Sequence, residues 1–323
     1  MRIGYALSSE EVGPRELVRN ARRAEEAGFE FASISDHFHP WIDNQGQSSF
    51  VWSALGGIAH ATERLMVGTG VTCPMIRTHP AIIAQAAATT ADMMPGRFYL
   101  GVGTGEALNE HIFADRWPSA DERRDMLEEA IEVIRKLWTG GLTSFYGSYY
   151  TVTDARIYTL PDQLPPIYVA ASGSKSAQLA GRVGDGLITT APRKELVDEF
   201  RRAGGDGKPV IGQVTVCWHA DEAEARRRAL HYWPTAVAPG ELTQELPLPR
   251  HFEQLAQTAT EEEIAKQIIC GPDVQRHIDA IMEFVNAGFD HVYVHQVGPE
   301  QDEFFAAYAH EILPELRRVA RAA

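Results

Sequence analysis

The side chain best suited to move a proton is His37, in the run Ser35-Asp36-His37-Phe38-His39-Pro40-Trp41. An imidazole changes charge near neutral pH without help from its surroundings. Asp36 supplies a neighbouring carboxylate, and Trp41, four residues on, an aromatic face. A His close to a strand end serves equally well as a structural residue, so this run by itself leaves both roles open. The second candidate is Glu106, in Gly101-Val102-Gly103-Thr104-Gly105-Glu106-Ala107-Leu108-Asn109-Glu110. A carboxylate in a glycine-rich strand-to-helix turn either faces the ligand that the turn receives or caps the helix that follows. The run is not a dinucleotide fingerprint, because the third glycine of G-x-G-x-x-G would fall on Glu106. Ser172-Gly173-Ser174, ahead of a helix from Lys175, offers backbone amides suited to a phosphate. His219 and His295 also end strands, but no ligands at metal-binding spacing accompany them, and no metal site is expected. Motifs of Ser-His-Asp hydrolases, P-loops and zinc proteases are absent.

These candidates need a frame that brings distant segments to one place. Short β-rich runs alternate with amphipathic stretches throughout: Ile3 to Leu7, Phe31 to Ser35, Leu65 to Val71, Phe98 to Val102, Ile167 to Ala171, Gly186 to Thr189, Val210 to Trp218 and His291 to His295. Eight βα units without a linker rich in Pro, Gly or Ser predict one (β/α)8 barrel over residues 1–323. Helices are predicted over Pro14 to Gly28, with Pro in the first turn and Gly at the stop, and over Asp121 to Thr139. In such barrels the chemistry sits at the C-terminal strand ends. The segments there are polar: Ser8-Ser9-Glu10, the His37 run, Thr69-Gly70-Val71-Thr72-Cys73-Pro74, the Glu106 run, Ser172-Gly173-Ser174 and Thr189-Thr190. Two stretches break the rhythm and are candidate lids: a hairpin over 145–152 and a Pro-bearing excursion over 235–257. Trp52, Trp138 and Phe284 read as core.

The 323 residues carry 30 Lys and Arg against 44 Asp and Glu, a formal charge of −14. An acidic surface repels nucleic acid, and the densest basic run, Arg226-Arg227-Arg228, reads as a solvated helix face. Cys73, Cys217 and Cys270 are widely spaced and suggest neither disulfides nor zinc. No stretch approaches about 18 consecutive apolar residues, and the N-terminus is unlike a signal peptide, so no membrane partner and a cytoplasmic location are expected.

The His37 and Glu106 runs, with Ser8-Ser9-Glu10, Leu137-Trp138-Thr139-Gly140 and Ala180-Gly181-Arg182-Val183-Gly184-Asp185-Gly186, resemble the F420-dependent glucose-6-phosphate dehydrogenase family of luciferase-like barrel oxidoreductases. The likeness spans nearly the whole chain. It implies a homodimer that transfers a hydride between an alcohol or sugar-phosphate carbon and C5 of the deazaflavin coenzyme F420. By position, His37, Trp41, Glu106 and Glu10 would be the catalytic set. Asp36, Gly70, Val71, Cys73, Thr104, Gly105 and Asn109 would meet the deazaflavin. Ser172, Gly173, Lys175 and Ser176 would hold its phosphate-bearing tail. The Gly70-Val71 bond matches a cis peptide behind the ring, and Cys73 stands where the family has a hydroxyl residue. Thr190, Arg193 and Lys266 match substrate-phosphate positions, with Lys194 competing with Arg193, and a third basic position has no match.

Two other readings keep the barrel. An FMN-dependent luciferase-like monooxygenase would use the same frame for oxygen chemistry, and a non-catalytic flavin-binding protein would keep the pocket without turnover. The Glu106 run favours the deazaflavin over FMN, and His37, Trp41 and Glu106 occurring together favours an enzyme.

Overall fold

The computed structural model describes residues 1–322, and side chains through Val319. The strands, in chain order, are β1 (Arg2–Leu7), β2 (Phe31–Ile34), β3 (Met66–Thr69), β4 (Phe98–Val102), β5 (Thr143–Tyr146), β6 (Thr151–Ala155), β7 (Ile167–Ala170), β8 (Gly186–Thr189), β9 (Val210–Cys217), β10 (Ile269–Cys270) and β11 (His291–Gln296). β1, β2, β3, β4, β7, β8, β9 and β11 pair side by side in parallel, and the β8–β9 pairing closes the ring. The expected barrel is therefore present, with all eight predicted strands in it. β3 is shorter than predicted, ending at Thr69 ahead of the cis Gly70-Val71 bond. The two-residue β10, which extends the sheet beside the end of β9, was not predicted, since so short a run carries no periodicity.

Helices cover the outside. Pro14–Ala27 starts with Pro at its first turn and stops at Gly28, whose φ of 94° is left-handed. Ala120–Leu137 begins at Ser119, whose hydroxyl accepts a hydrogen bond from the Glu122 amide. Trp138 and Phe284 are buried, as expected, and Trp52 packs partly buried against the same core. Arg226, Arg227 and Arg228 lie on the helix Glu222–Tyr232, paired with Glu222 or Glu224. The antiparallel β5–β6 hairpin turns around Gly147. The excursion forms a 3-10 turn, Pro234–Val237, and two short helices, Gly240–Glu245 and Pro249–Leu255. No described helix is long and apolar enough to cross a membrane.

A closed parallel barrel must fill its own interior, and here aromatic rings lie across glycines on the neighbouring strand. Phe31 is in register with Gly4, Tyr99 with Gly68 and Tyr168 with Gly186. A Cβ added to those glycines would stand 2.6, 2.2 and 2.6 Å from the facing ring. With Ala6, Ile188, Ile211 and Tyr293, these rings form the apolar interior. Above them the backbone itself closes up: a Cβ on Gly101 would stand 1.9 Å from the Thr69 carbonyl oxygen. Thr69 Oγ1 donates to the Gly101 carbonyl at 2.7 Å and accepts from its amide at 3.1 Å, so β3 and β4 are pinned where their loops begin. The clash is with backbone and cannot be relieved by a rotamer change. Gly101→Ala is expected to destabilise the fold by about 2 kcal/mol or more, typical of overpacking, which urea unfolding would measure.

Candidate functional site

β2 delivers Asp36 and His37 to the C-terminal rim, β1 delivers Glu10, and β4 delivers Glu106 at the N-cap of the short helix Ala107–Glu110. His37 Nε2 lies 3.4 Å from Glu10 Oε1 and 3.8 Å from Glu106 Oε2. Its Nδ1 lies 3.2 Å from the His39 carbonyl oxygen. A carbonyl only accepts, so Nδ1 carries a proton and Nε2 is the atom free to take or release one. His39, by contrast, is committed to structure: its Nδ1 donates to the Leu108 carbonyl at 2.9 Å and its ring stacks on His111.

The two carboxylates differ in setting. Glu10 is buried, and its Oε2 accepts from Ser35 Oγ at 2.5 Å and from Ser8 Oγ at 3.1 Å. Glu106 keeps 30% of its side chain exposed, so a proton on it can reach water. Trp41 closes one side, its ring centroid 5.1 Å from that of His37 and edge-on to the buried Phe252 at 5.2 Å. Gln45 fixes that wall by accepting from the Trp41 amide and donating to the Tyr232 carbonyl.

Asn109 joins the segments that carry His37 and Glu106. Its Oδ1 accepts from the Phe38 and His39 amides at 2.8 and 3.2 Å, while Nδ2 donates to Glu106 Oε2 at 3.0 Å. Asp36 is buried, with Oδ2 accepting from Thr72 Oγ1 at 2.7 Å and Oδ1 from Arg77 Nη2 at 2.9 Å. Cys73 is buried against Gly105, whose φ is 70° and whose added Cβ would stand 2.6 Å from Sγ. Burial, reinforced by the Glu110 carboxylate, pushes the Cys73 thiol well up, so it is a neutral packing group rather than a thiolate. Gly70, Val71, Thr104 and Gly105 border the same mouth, partly exposed.

Across the rim, Gly173 begins the helix Ser174–Val183 without a side-chain cap, and a Cβ there would meet nothing within 4 Å. Ser172 is exposed and Ser176 half-buried. Lys175 is exposed and reaches Asp121 at 2.8 Å rather than the loop. Arg193 donates to the Ser172 carbonyl at 3.0 Å and pairs with Glu195, and Lys194 pairs with Asp198. Thr190 is exposed, as is Lys266, which follows the helix Glu261–Ile264. The structure thus gathers His37, Glu10, Glu106 and Trp41 closely, and the basic candidates Lys175, Arg193 and Lys194 are each paired with a carboxylate.

The profile of the family described as luciferase-like monooxygenase matches residues 1–291. The chain belongs to that luciferase-like family. It is 38% identical to the "F420-dependent glucose-6-phosphate dehydrogenase" of Microbacterium testaceum, over 98% of each chain, and 37% identical to the protein of the same name from Nakamurella multipartita, over 98% of this chain and 97% of that one. An "F420-dependent secondary alcohol dehydrogenase in complex with an F420-acetone adduct" superposes with a TM-score of 0.91 at 31% identity, covering 98% of both chains. A long-chain alkane monooxygenase, 14% identical with a TM-score of 0.71, shares the fold.

Three site features of this luciferase-like chain escaped the sequence reading. Arg77 forms ion pairs with Asp36 and with Glu110, a residue at the end of the Glu106 run whose sequence position marks no role. Glu11 Oε2 pairs with His295 Nε2 at 2.6 Å, although only its neighbour Glu10 had been singled out. Arg123, fully buried, binds Gln244 and Glu245 of the excursion. Each joins residues far apart in sequence, where no spacing signals the contact. Because Asn109 spaces His37 from Glu106, Asn109→Ala is expected to lower kcat by about tenfold or more through misplacement of both groups, with little change in unfolding temperature. Steady-state kinetics beside a thermal melt would check it.

Proposed function

We propose that the protein is an F420-dependent dehydrogenase that removes a hydride from the CH–OH carbon of an alcohol or sugar phosphate. The observation that carries this reading is His37 Nε2 facing two carboxylates, one buried and one open to water, beside an aromatic wall. The curated relatives and the structural neighbour are named for F420 chemistry on such substrates.

The mouth fits the coenzyme. Gly103 and Gly105 let the β4 turn close directly on Val71 and Cys73, where an added Cβ would stand 2.7 and 2.6 Å from their side chains, so this wall of the mouth is tightly packed. The uncapped amides at Gly173 and Ser174 face open space and suit an anionic tail. Asp36, Gly70, Val71, Cys73, Thr104, Gly105 and Asn109 would border the ring; Ser172, Gly173, Lys175 and Ser176 would border the tail. When bound, F420 supplies the carbon that accepts the hydride.

His37 Nε2 takes the hydroxyl proton of the substrate as its C–H bond breaks. Glu10, held by Ser8 and Ser35, fixes the imidazole and stabilises its charged form. Glu106, partly exposed, returns the proton to water. Trp41 presents its ring to the imidazole and, with Phe252, excludes solvent from that side. Thr190 and Arg193, beside Ser172, are the groups available to a substrate phosphate; Lys266 would have to reach it from a separate loop. A homodimer fits the helices Val51–Ala61 and Pro80–Met93, which are apolar around much of their circumference and leave Phe50, Ile82 and Met93 exposed. Three buried free cysteines fit a reducing cytoplasm.

His37→Ala is expected to cut turnover by about a hundredfold or more, in the range of a lost acid/base group, while F420 still binds. Near-normal turnover would remove His37 from the mechanism. Titrating the purified protein with F420 and with FMN, followed by tryptophan fluorescence, is expected to show micromolar or tighter F420 binding and weaker FMN binding. Coenzyme reduction by glucose 6-phosphate or by simple secondary alcohols would then assign the substrate class, whereas preferential FMN binding with oxygen consumption would move the chain to monooxygenase chemistry.

A further inference from the structure

Arg77 lies at the meeting point of three strand-end loops. It follows β3, the strand that leads into the Gly70-Val71 bond, and its guanidinium is almost wholly covered. Nη2 donates to Asp36 Oδ1 at 2.9 Å and reaches the Asp36 carbonyl oxygen at 3.3 Å, on the loop after β2. Nε lies 3.5 Å from Glu110 Oε1, and the Arg77 backbone amide donates to Glu110 Oε2 at 2.6 Å, at the end of the helix that begins beyond Glu106. Asp36 and Glu110 are both buried, one residue from His37 and four from Glu106 respectively. Burial pushes the Glu110 carboxyl up, and the hydrogen bond and charge of Arg77 draw it back. Burial works against the Arg77 charge, and Asp36 and Glu110 together hold it.

Two buried carboxylates at this spacing repel each other and lose hydration unless one cation serves both. Removing that cation leaves an uncompensated buried charge and frees the two loops that carry the proton-transfer pair.

We propose that Arg77 is a positioning residue for hydride transfer: by neutralising Asp36 and Glu110 together it sets the distance between His37 and Glu106. The inference rests on the dehydrogenase reading of the same site. Arg77 touches neither reacting group, and its effect passes through Asp36 to the His37 backbone and through Glu110 to the Glu106 helix. Lys cannot replace it, because a single ammonium lacks the planar fork that reaches both partners.

The test compares the full-length wild type with Arg77→Lys, Arg77→Met and the double variant Arg77→Met/Glu110→Gln. Each is checked first by thermal melt and F420 titration. Arg77→Lys is expected to bind F420 within about threefold of wild type and to lose about tenfold or more in kcat at an unchanged substrate KM, as misplacement of reacting groups does. Arg77→Met is expected to fall further. The double variant, which restores the net charge of the cluster, is expected to recover about tenfold of that fall, since unpaired buried charge is the larger cost. Wild-type kcat in Arg77→Lys would overturn the inference. So would a fall of F420 affinity, melting temperature and kcat in step across the series, or a double variant no better than Arg77→Met. A wild-type protein that neither binds nor reduces F420 would refute the dehydrogenase reading itself, which the wild-type arm separates from these outcomes.

Discussion

Everything in this structure depends on filling the inside of a closed parallel barrel. A parallel strand in such a ring is buried on both faces, so the interior takes side chains only where the neighbouring strand yields space. Here the solution is an aromatic ring against a cross-strand glycine, repeated at Phe31 and Gly4, Tyr99 and Gly68, and Tyr168 and Gly186. The rings fill the lower barrel, and the loops after the C-terminal ends of β1 to β4 carry the candidate site. Gly101, Gly103 and Gly105 continue the same close packing into the loop, where an added Cβ would meet the Thr69 carbonyl, Val71 and Cys73 at 1.9, 2.7 and 2.6 Å.

Loops held at a barrel mouth are not rigid by themselves, and the site is made precise by carboxylates and amides that reach between them. Glu10 is fixed by hydroxyls from its own loop and from the β2 loop. Asn109 takes two amides of the β2 loop and donates to Glu106. Arg77 draws the β2 and β4 loops onto the segment that follows β3. On the far side Glu11 binds His295 and the Gly298 amide, tying the β1 loop to the end of β11. Adjacent residues Glu10 and Glu11 therefore serve opposite neighbours. Most of the polar side chains around His37 and Glu106 are spent on holding loops at fixed separations.

The barrel was legible because each strand and helix announces itself locally, by β-rich runs, by helical spacing at Met126 to Trp138 and by punctuation at Pro14 and Gly28. His37, Trp41 and Glu106 were legible because the strand-end rule and the family resemblance point to the same residues, and the structure brings them together. Arg77 was not legible: its partners are 41 and 33 residues away, and an Arg in a loop after a strand has no local mark. Arg123 was missed for a related reason. Helical spacing assigns it to a polar position near the start of a surface helix, yet the excursion folds over it and buries it against Glu245 and Trp117. Tertiary covering overrode the local pattern. The basic positions beyond β7 and β8 show the converse, since a residue type matched by sequence position says nothing about the acid that neutralises it.

So acidic a chain needs a local means of holding an anionic coenzyme. The cations nearest the Gly173 helix start are paired: Lys175 and Arg124 with Asp121, Arg193 with Glu195. None is a free positive charge, and the formal charge of −14 gives no long-range attraction. What remains unpaired on that side is backbone, the amides at the start of Ser174–Val183, where the helix supplies partial positive charge without a side chain. Attraction of this kind is short-ranged and directional, and it acts only on an anion already seated at the helix end. A paired cation would add to it by exchange: a phosphate oxygen would replace the Asp121 carboxylate as the partner of Lys175 without creating a new buried charge. On the proposed reading, fit of the ring at the mouth would set selectivity, and the helix end would fix the tail once the ring has entered.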